Sequence, residues 1–172
     1  MTQVTARLNP EGVMDNFFSY NVKFFGHKVN KNFRKISGED LVVDVLQNYL
    51  TVEPRYVGAL IAVITSPNFD FYSLHDKAVE ADIGHRVHWL MRDYIPALEI
   101  KGKKKHAETL KRYLPLFIEY TRSLENEIAS YSKGRKQWIR NSASPVAKKC
   151  GVPIVYDLDK RCDRVDLYCK SA

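Results

Sequence analysis

The sequence has few of the features that mark secreted, membrane-spanning or disulfide-stabilised proteins. Its three cysteines, Cys150, Cys162 and Cys169, are an odd number without a close pair, so they form neither a disulfide framework nor a zinc knuckle. The longest uninterrupted apolar run, residues 57–64, has eight residues, whereas a membrane-spanning helix needs about 20. Residues 1–12 lack the apolar stretch of a secretory signal. These absences predict reduced thiols in a cytoplasmic protein that has no membrane partner.

Motifs of the common enzyme classes are missing as well. The sequence contains no Gly-rich phosphate loop, dinucleotide-binding fingerprint, nucleophile elbow or paired-histidine zinc helix. An active site assembled from distant residues would escape such a search. We therefore expect no cofactor and favour a non-catalytic function.

Acidic residues are unevenly distributed along the chain. The net charge is +4 over residues 1–38, −6 over residues 39–99 and +9 over residues 100–172, which sum to the total of +7. Two long windows contain no acid: residues 16–38, with five Lys or Arg, and residues 128–156, with six. An acidic middle between two basic flanks predicts a basic face if the flanks meet in space.

Helix start and stop signals predict a mainly α, single-domain protein of residues 1–172, with a helical bundle-like core over about 10–132. Asn9, Ser37 and Thr51 are the expected caps of the first three helices. The third, "VEPRYVGALIAVIT", is apolar nearly all round and belongs at the centre of the core. A fourth helix is expected from about Leu74 to Tyr94, and a long fifth one, bent or divided at Pro115, before Gly134.

The C-terminal quarter predicts a small appendage over about residues 144–170. "SPVAKKCG" has the cap, first-turn proline and terminal glycine of a short helix, while "VPIVYD" and "RVDLYCK" alternate like two strands of a β-hairpin. The order of helix, helix and hairpin is that of half a winged helix, whose hairpin tip, with Lys160 and Arg161, could reach phosphates. Alternatively, the hairpin only covers the end of the bundle. The predicted fold is thus about five helices with a small C-terminal β-hairpin.

Two basic stretches are the best candidates for a binding surface. "KGKKKH" has four lysines and no acid between two long helices, and lysines that follow a helix end explain only one or two of them. "YSKGRKQW" places Tyr131 and Trp138 beside cations, an arrangement that holds single-stranded nucleic acids. The alternative is that Trp138 closes the core. The predicted nucleic-acid-binding residues are Lys101, Lys103, Lys104, Lys105, Lys133, Arg135, Lys136, Trp138, Arg140, Lys160 and Arg161.

Two patterns could carry metal chemistry. Asp82, His85 and His88 recur at intervals of three, which would give a metal ligands from one side of a helix. A histidine between alanines and a tryptophan also suits a packed helix contact. The second pattern, "EIK" from Glu99 to Lys101 with Asp93 upstream, matches a loose nuclease arrangement in which two acids hold Mg²⁺.

Residues 40–91, with "DLVVDVLQNYL", "PRYVGALIAVIT", "FDFYSLHDKAVE" and "HRVHWLM", resemble the C-terminal helical region of abortive-infection type antitoxin regulators. The resemblance implies a helical regulatory region that accompanies a DNA-binding winged helix. The 39 residues before it are too few for that winged helix, and no functional residue is carried over.

These observations favour a non-catalytic nucleic-acid-binding or regulatory protein, with DNA or RNA as its partner. The first alternative is a protein-interaction module whose residues 39–99 dock a basic partner, and the second is a metal-dependent nuclease. If Lys103 and Lys104 serve the same ligand as Arg135 and Lys136, a bend at Pro115 must bring the two stretches together, since a straight helix would separate them.

Overall fold

A computed structural model describes residues 7–155 and 158–169 of the chain. In these residues the backbone forms ten α-helices, one short 3-10 helix at Leu114–Leu116, and no β-strand. The helices are α1 Pro10–Phe18, α2 Gly38–Asn48, α3 Pro54–Ile64, α4 Phe71–Glu80, α5 Gly84–Ile100, α6 Lys104–Tyr113, α7 Leu124–Glu127, α8 Lys133–Ser142, α9 Pro145–Cys150 and α10 Leu158–Tyr168.

Helix α3 lies at the centre of the core, as its apolar composition predicts. All residues from Tyr56 to Ile64 are buried, and the helix packs against α1, α2 and α10. A second central helix, α5, packs against α4, α6, α9 and α10. Burial of apolar side chains along α3 and α5 is the main source of stability, at roughly 25 cal/mol for each Å² removed from water.

Most of the predicted caps are confirmed by their hydrogen bonds. The side chains of Asn9, Ser37 and Ser144 each accept a hydrogen bond from the backbone N–H three residues later, at 2.7, 3.1 and 3.1 Å respectively. Each bond satisfies one of the amides that a helix start leaves without an intrahelical partner. Thr51 is not a cap, because α3 begins at Pro54.

The predicted C-terminal β-hairpin is wrong. Residues 152–155 have no regular structure, residues 164–168 belong to α10, and residues 156, 157 and 170 of the predicted strands lie outside the described residues. The buried side chains Cys162, Val165 and Cys169 explain the error. They lie at helical spacing, and Val165 and Cys169 also fit the alternation of a strand. Helices α9 and α10 pack against α5 instead of forming a separate appendage.

The two long helices expected in the middle of the chain are divided. The fourth ends at Glu80, because Asp82 adopts a left-handed φ of +58° and the N–H of Ile83 donates to the carbonyl of Ala78 at 2.9 Å. Glycine is the usual residue at this position of a helix end. The fifth ends at Tyr113, where the 3-10 helix around Pro115 begins. The division of this helix at Pro115 is therefore confirmed. Its predicted continuation to Gly134 is wrong, because residues 117–123 and 128–132 are not helical and Gly134 lies inside α8.

No helix among the described residues is both long enough and apolar enough to cross a membrane. All three cysteines are buried free thiols.

Candidate nucleic-acid interface

Helix α8 is a basic helix at the surface of the protein. Ser132 caps it by accepting a hydrogen bond from the N–H of Arg135 at 3.4 Å. Ile139 is its only buried residue, and within the described residues α8 packs only loosely against other helices. Its ten residues include Lys133, Arg135, Lys136 and Arg140 and no acid. The helix therefore offers most of its surface to the outside, with Lys133, Arg135 and Arg140 exposed and Lys136 half-buried.

Trp138 is exposed on this helix. Its exposed fraction is 56%, so the alternative in which Trp138 closes the core is wrong. The indole is the largest aromatic side chain, and leaving it in water forgoes a large part of its hydrophobic stabilisation. An exposed indole beside cations and without a neighbouring acid in its own helix is suited to stacking on a base.

Tyr131 and Arg140 are less available than the sequence suggests. Tyr131 is half-buried against the core, and the guanidinium carbon of Arg135 lies 4.4 Å from its ring centroid. This cation–π contact orders Arg135 but covers the ring. Arg140 binds the carboxylate of Glu125 through two hydrogen bonds of 2.8 and 2.6 Å. Trp138 is thus the ring of this region that remains open.

The lysine-rich loop has two parts with different surroundings. Lys101 ends α5 and pairs with Asp166 of α10, and Gly102 makes the turn with a φ of +69°. The first turn of α6 contains no acid, and Lys104 and Lys105 are exposed there. Cations at that end of a helix oppose its dipole by about 0.3–1 kcal/mol each. Helix stability therefore accounts for Lys101 but not for Lys104 and Lys105.

Lys103 precedes α6 as its N-cap residue. Helix α6 packs against α5, whereas α8 is tied to α7 through the pair of Arg140 and Glu125. The meeting of Lys103 and Lys104 with Arg135 and Lys136 in one site stays a prediction.

Lys160 and Arg161 lie in α10 and not at a hairpin tip. The Arg161 side chain is buried and forms an ion pair with the buried Asp93 of α5. Burial raises the pKa of the Asp93 carboxyl to about 6, and the guanidinium of Arg161 opposes that rise. Lys160 is exposed. The charge of Arg161 is therefore accounted for by a structural partner.

The three candidate metal ligands do not converge. Asp82 is exposed and pairs with Arg122, which lowers its pKa. His85 is buried, its Nε2 forms no hydrogen bond with any described residue, and burial lowers its pKa to about 4. The Nδ1–H of His88 donates to the carbonyl of Tyr120 at 2.9 Å. A search of the described residues finds no group of three or more His, Cys, Asp or Glu side chains that could hold a metal.

The nuclease-like pattern is also dispersed. Asp93 pairs with Arg161, Glu99 pairs with Lys111, and Lys101 pairs with Asp166. Each group of the pattern has a different partner, so the two carboxylates do not face a common site.

The acidic middle of the chain is largely neutralised by the chain itself. Five of its ten acids pair with Lys or Arg, and three of those cations come from the basic C-terminal part. Glu39 and Asp44 are buried, and Asp70 caps α4. The five pairs are Asp40–Lys77, Glu53–Arg55, Asp82–Arg122, Asp93–Arg161 and Glu99–Lys111.

Two exposed lysines next to α8 were not among the predicted residues. Lys148 and Lys149 lie in the last turn of α9, and the acid-free window of residues 128–156 already contained them. In the part of the chain that the structure describes, neither lysine lies within ion-pair distance of a carboxylate.

No protein-family model matches the chain, and searches of curated proteins and of solved structures found no match. The resemblance to antitoxin regulators stays a prediction.

Proposed function

We propose that the protein is a non-catalytic nucleic-acid-binding protein and that α8 is its principal contact. The observation that carries the proposal is the exposed Trp138 on a helix with four cations and no acid. Stacking of the indole on an unpaired base, and neutralisation of phosphates of a single strand or a duplex by Lys133 and Lys136, are the two interactions that this surface offers.

The internal ion pairs support this function over the docking of a basic protein. Because the acids of residues 39–99 are mostly paired or buried, little free negative charge remains there for a basic partner. Lys104, Lys105, Lys133 and Lys136 have no carboxylate within ion-pair distance among the described residues. The uncompensated charge is therefore positive, and α8, α9, the start of α6 and the connection between α1 and α2 carry much of it.

The same pairs support a non-catalytic function over a nuclease. Asp93 and Glu99 are each engaged by a separate cation, so binding Mg²⁺ there would require two ion pairs to break. Binding of phosphates by Lys104 and Lys105, in contrast, would require no ion pair to break.

Trp138 itself provides the experiment. The chain has two tryptophans, and Trp89 is 1% exposed against 56% for Trp138. Changes in emission and in acrylamide quenching therefore report on Trp138. We expect mixed-sequence DNA or RNA at low salt to quench the emission and to protect the indole from acrylamide, and a Trp138→Phe variant to lose both signals.

Trp89 serves as the internal reference, because its buried indole should respond to neither acrylamide nor ligand. Unchanged emission and unchanged acrylamide quenching with single-stranded and duplex DNA and RNA at low salt would contradict the proposal.

A further inference from the structure

The connection between α1 and α2 is long and irregular but well held. Residues 19–37 contain neither helix nor strand, and connections of more than about 12–15 residues are usually functional or disordered. Two buried polar residues at the end of α1 fix this one. Asp15 accepts hydrogen bonds from Nε2–H of His27 at 2.8 Å and from the N–H of Asn30 at 3.0 Å.

Asn16 holds the second half of the connection. Its Nδ2 donates to the carbonyl of Arg34 at 2.9 Å, and its Oδ1 accepts from the N–H of Ile36 at 2.9 Å. Asn16 is 2% exposed, so these bonds are made out of competition with water. The connection between α1 and α2 therefore has a defined conformation that these hydrogen bonds hold.

Two aromatic rings protrude from this surface. Phe25 is fully exposed, at 105% of the reference area, on a tight turn that the N–H of His27 closes by donating to the carbonyl of Phe24 at 3.1 Å. Gly26 follows Phe25 with a φ of +78°, which glycine adopts without strain. The turn therefore holds Phe25 out in water instead of allowing it to fold back.

Phe18 is the second ring. It is 42% exposed, and Nζ of Lys23 lies 5.7 Å from its centroid. Beside it is an apolar recess of about 190 Å³ whose walls include Val22 and Val29. The surface thus offers the exposed ring of Phe25 and, beside Phe18 and Lys23, an apolar hollow.

All of the charge on this connection is positive. Its five cations have no carboxylate within ion-pair distance in the described residues, and the nearest acids on either side in the sequence, Asp15 and Glu39, are buried. The five cations are Lys23, Lys28, Lys31, Arg34 and Lys35.

We infer that residues 18–35 form a second binding surface, specific for the unpaired bases of single-stranded nucleic acid. Phe25 stacks on a base while the lysines neutralise phosphates, the combination by which single strands are held. A duplex keeps its base faces within the stack and cannot use the rings. The inference does not depend on α8, because other residues carry it.

The test compares two substitutions of Phe25 by fluorescence anisotropy on a labelled single strand of about 12 nucleotides. Leucine keeps the apolar character and removes the aromatic face, whereas tryptophan keeps the face. We expect Phe25→Leu to weaken single-strand binding about fivefold or more and Phe25→Trp to preserve it. Neither change should alter binding of a duplex of equal length.

Tyr72→Leu is the matched control, since Tyr72 is also an exposed aromatic residue, at 64%, and lies on α4. It should bind the single strand as the unmodified protein does. Replacement of Lys28 and Lys31 together by alanine should reduce the slope of log affinity against log salt by about 1.4, from two lost phosphate contacts.

Three results would overturn the inference. The first is equal single-strand affinity of Phe25→Leu and the unmodified protein. The second is an equal loss on single strand and duplex. The third is binding to anionic phosphatidylserine vesicles that is as tight as binding to the single strand and that both Phe25→Leu and Phe25→Trp retain, because an apolar anchor would then suffice. If the single strand does not protect Trp138 from acrylamide while Phe25→Leu still weakens single-strand binding, only the role proposed for α8 is contradicted.

Discussion

The buried pair of Arg161 and Asp93 gives the sharpest test of the structure against the sequence, which had placed Arg161 on a nucleic-acid-binding tip. The change is Arg161→Met, which keeps most of the side-chain volume and removes the charge. Asp93 is 7% exposed and Arg161 is 5% exposed. The variant would therefore leave a carboxylate in the interior without its counter-ion.

The expected cost is large for a single substitution. Removing one partner of a buried ion pair typically destabilises a protein by about 3–5 kcal/mol. Burial already raises the pKa of Asp93 to about 6 with Arg161 in place, and loss of the guanidinium should raise that pKa further. A raised carboxyl pKa means that the folded state takes up a proton as the pH falls, which stabilises it at low pH. The cost of Arg161→Met should therefore shrink between about pH 7.5 and about pH 5.

Urea unfolding followed by circular dichroism measures this cost at the two pH values. Arg164→Met is the control, since Arg164 lies in the same helix, α10, is half-buried and makes no ion pair among the described residues; we expect it to cost less than about 1 kcal/mol. The double variant Asp93→Leu with Arg161→Met should recover most of the loss. A cost below about 1 kcal/mol for Arg161→Met, or reduced oligonucleotide binding at unchanged stability, would refute this reasoning.

Two further predictions concern buried groups in other parts of the core. The pKa of His85 is lowered to about 4, so as the pH falls below about 6.5 the unfolded chain binds a proton that the folded chain does not bind. The free energy of unfolding should therefore fall by about 3 kcal/mol between about pH 6.5 and about pH 4. His85→Gln should flatten the pH profile of urea unfolding, and parallel profiles of the variant and the unmodified protein would contradict this prediction. Gly151 and Gly102 both have left-handed φ, +75° and +69°, but a Cβ on Gly151 would lie 2.1 Å from the carbonyl oxygen of Arg122 while one on Gly102 meets open space. Gly102→Ala should therefore cost about 1 kcal/mol and Gly151→Ala clearly more in thermal unfolding, and equal costs would count against this contact.

Local signals in the sequence predicted the local structure well. Asn9, Ser37 and Ser144 could be identified as caps because a cap depends on residues within one turn. The central position of α3 followed from its composition alone.

Ambiguous or non-local signals were the source of the errors. Proline is one example: Pro115 coincides with a helix end, yet Pro96 lies inside α5, so the residue type alone does not fix the outcome. The C-terminal segment fitted two periods at once, and packing of Val165 on the core decided for the helix.

The candidate site shows the same division. The basic composition of α8 was readable, since acids are absent from residues 128–156. The sequence did not reveal the exposure of Trp138 or the burial of Arg161, because both depend on neighbours far along the chain. Asp93, the partner of Arg161, lies 68 residues before it. His85 and His88 have ligand spacing, but their burial, and the contact of His88 with Tyr120, arise only when residues 117–122 cross α5.

The salt dependence of nucleic-acid binding tests the role of α8 most directly. Anisotropy titrations on a duplex compare the unmodified protein, the double variant Lys133→Ala with Lys136→Ala, and a control that removes equal charge, Arg55→Ala with Lys77→Ala, whose cations are paired with acids. If the lysines of α8 neutralise phosphates, the slope of log affinity against log salt falls by about 1.8 in the α8 variant, at about 0.9 for each phosphate contact, and stays unchanged in the control. An unchanged slope in the α8 variant, or an equal fall in the control, would contradict the role proposed for α8.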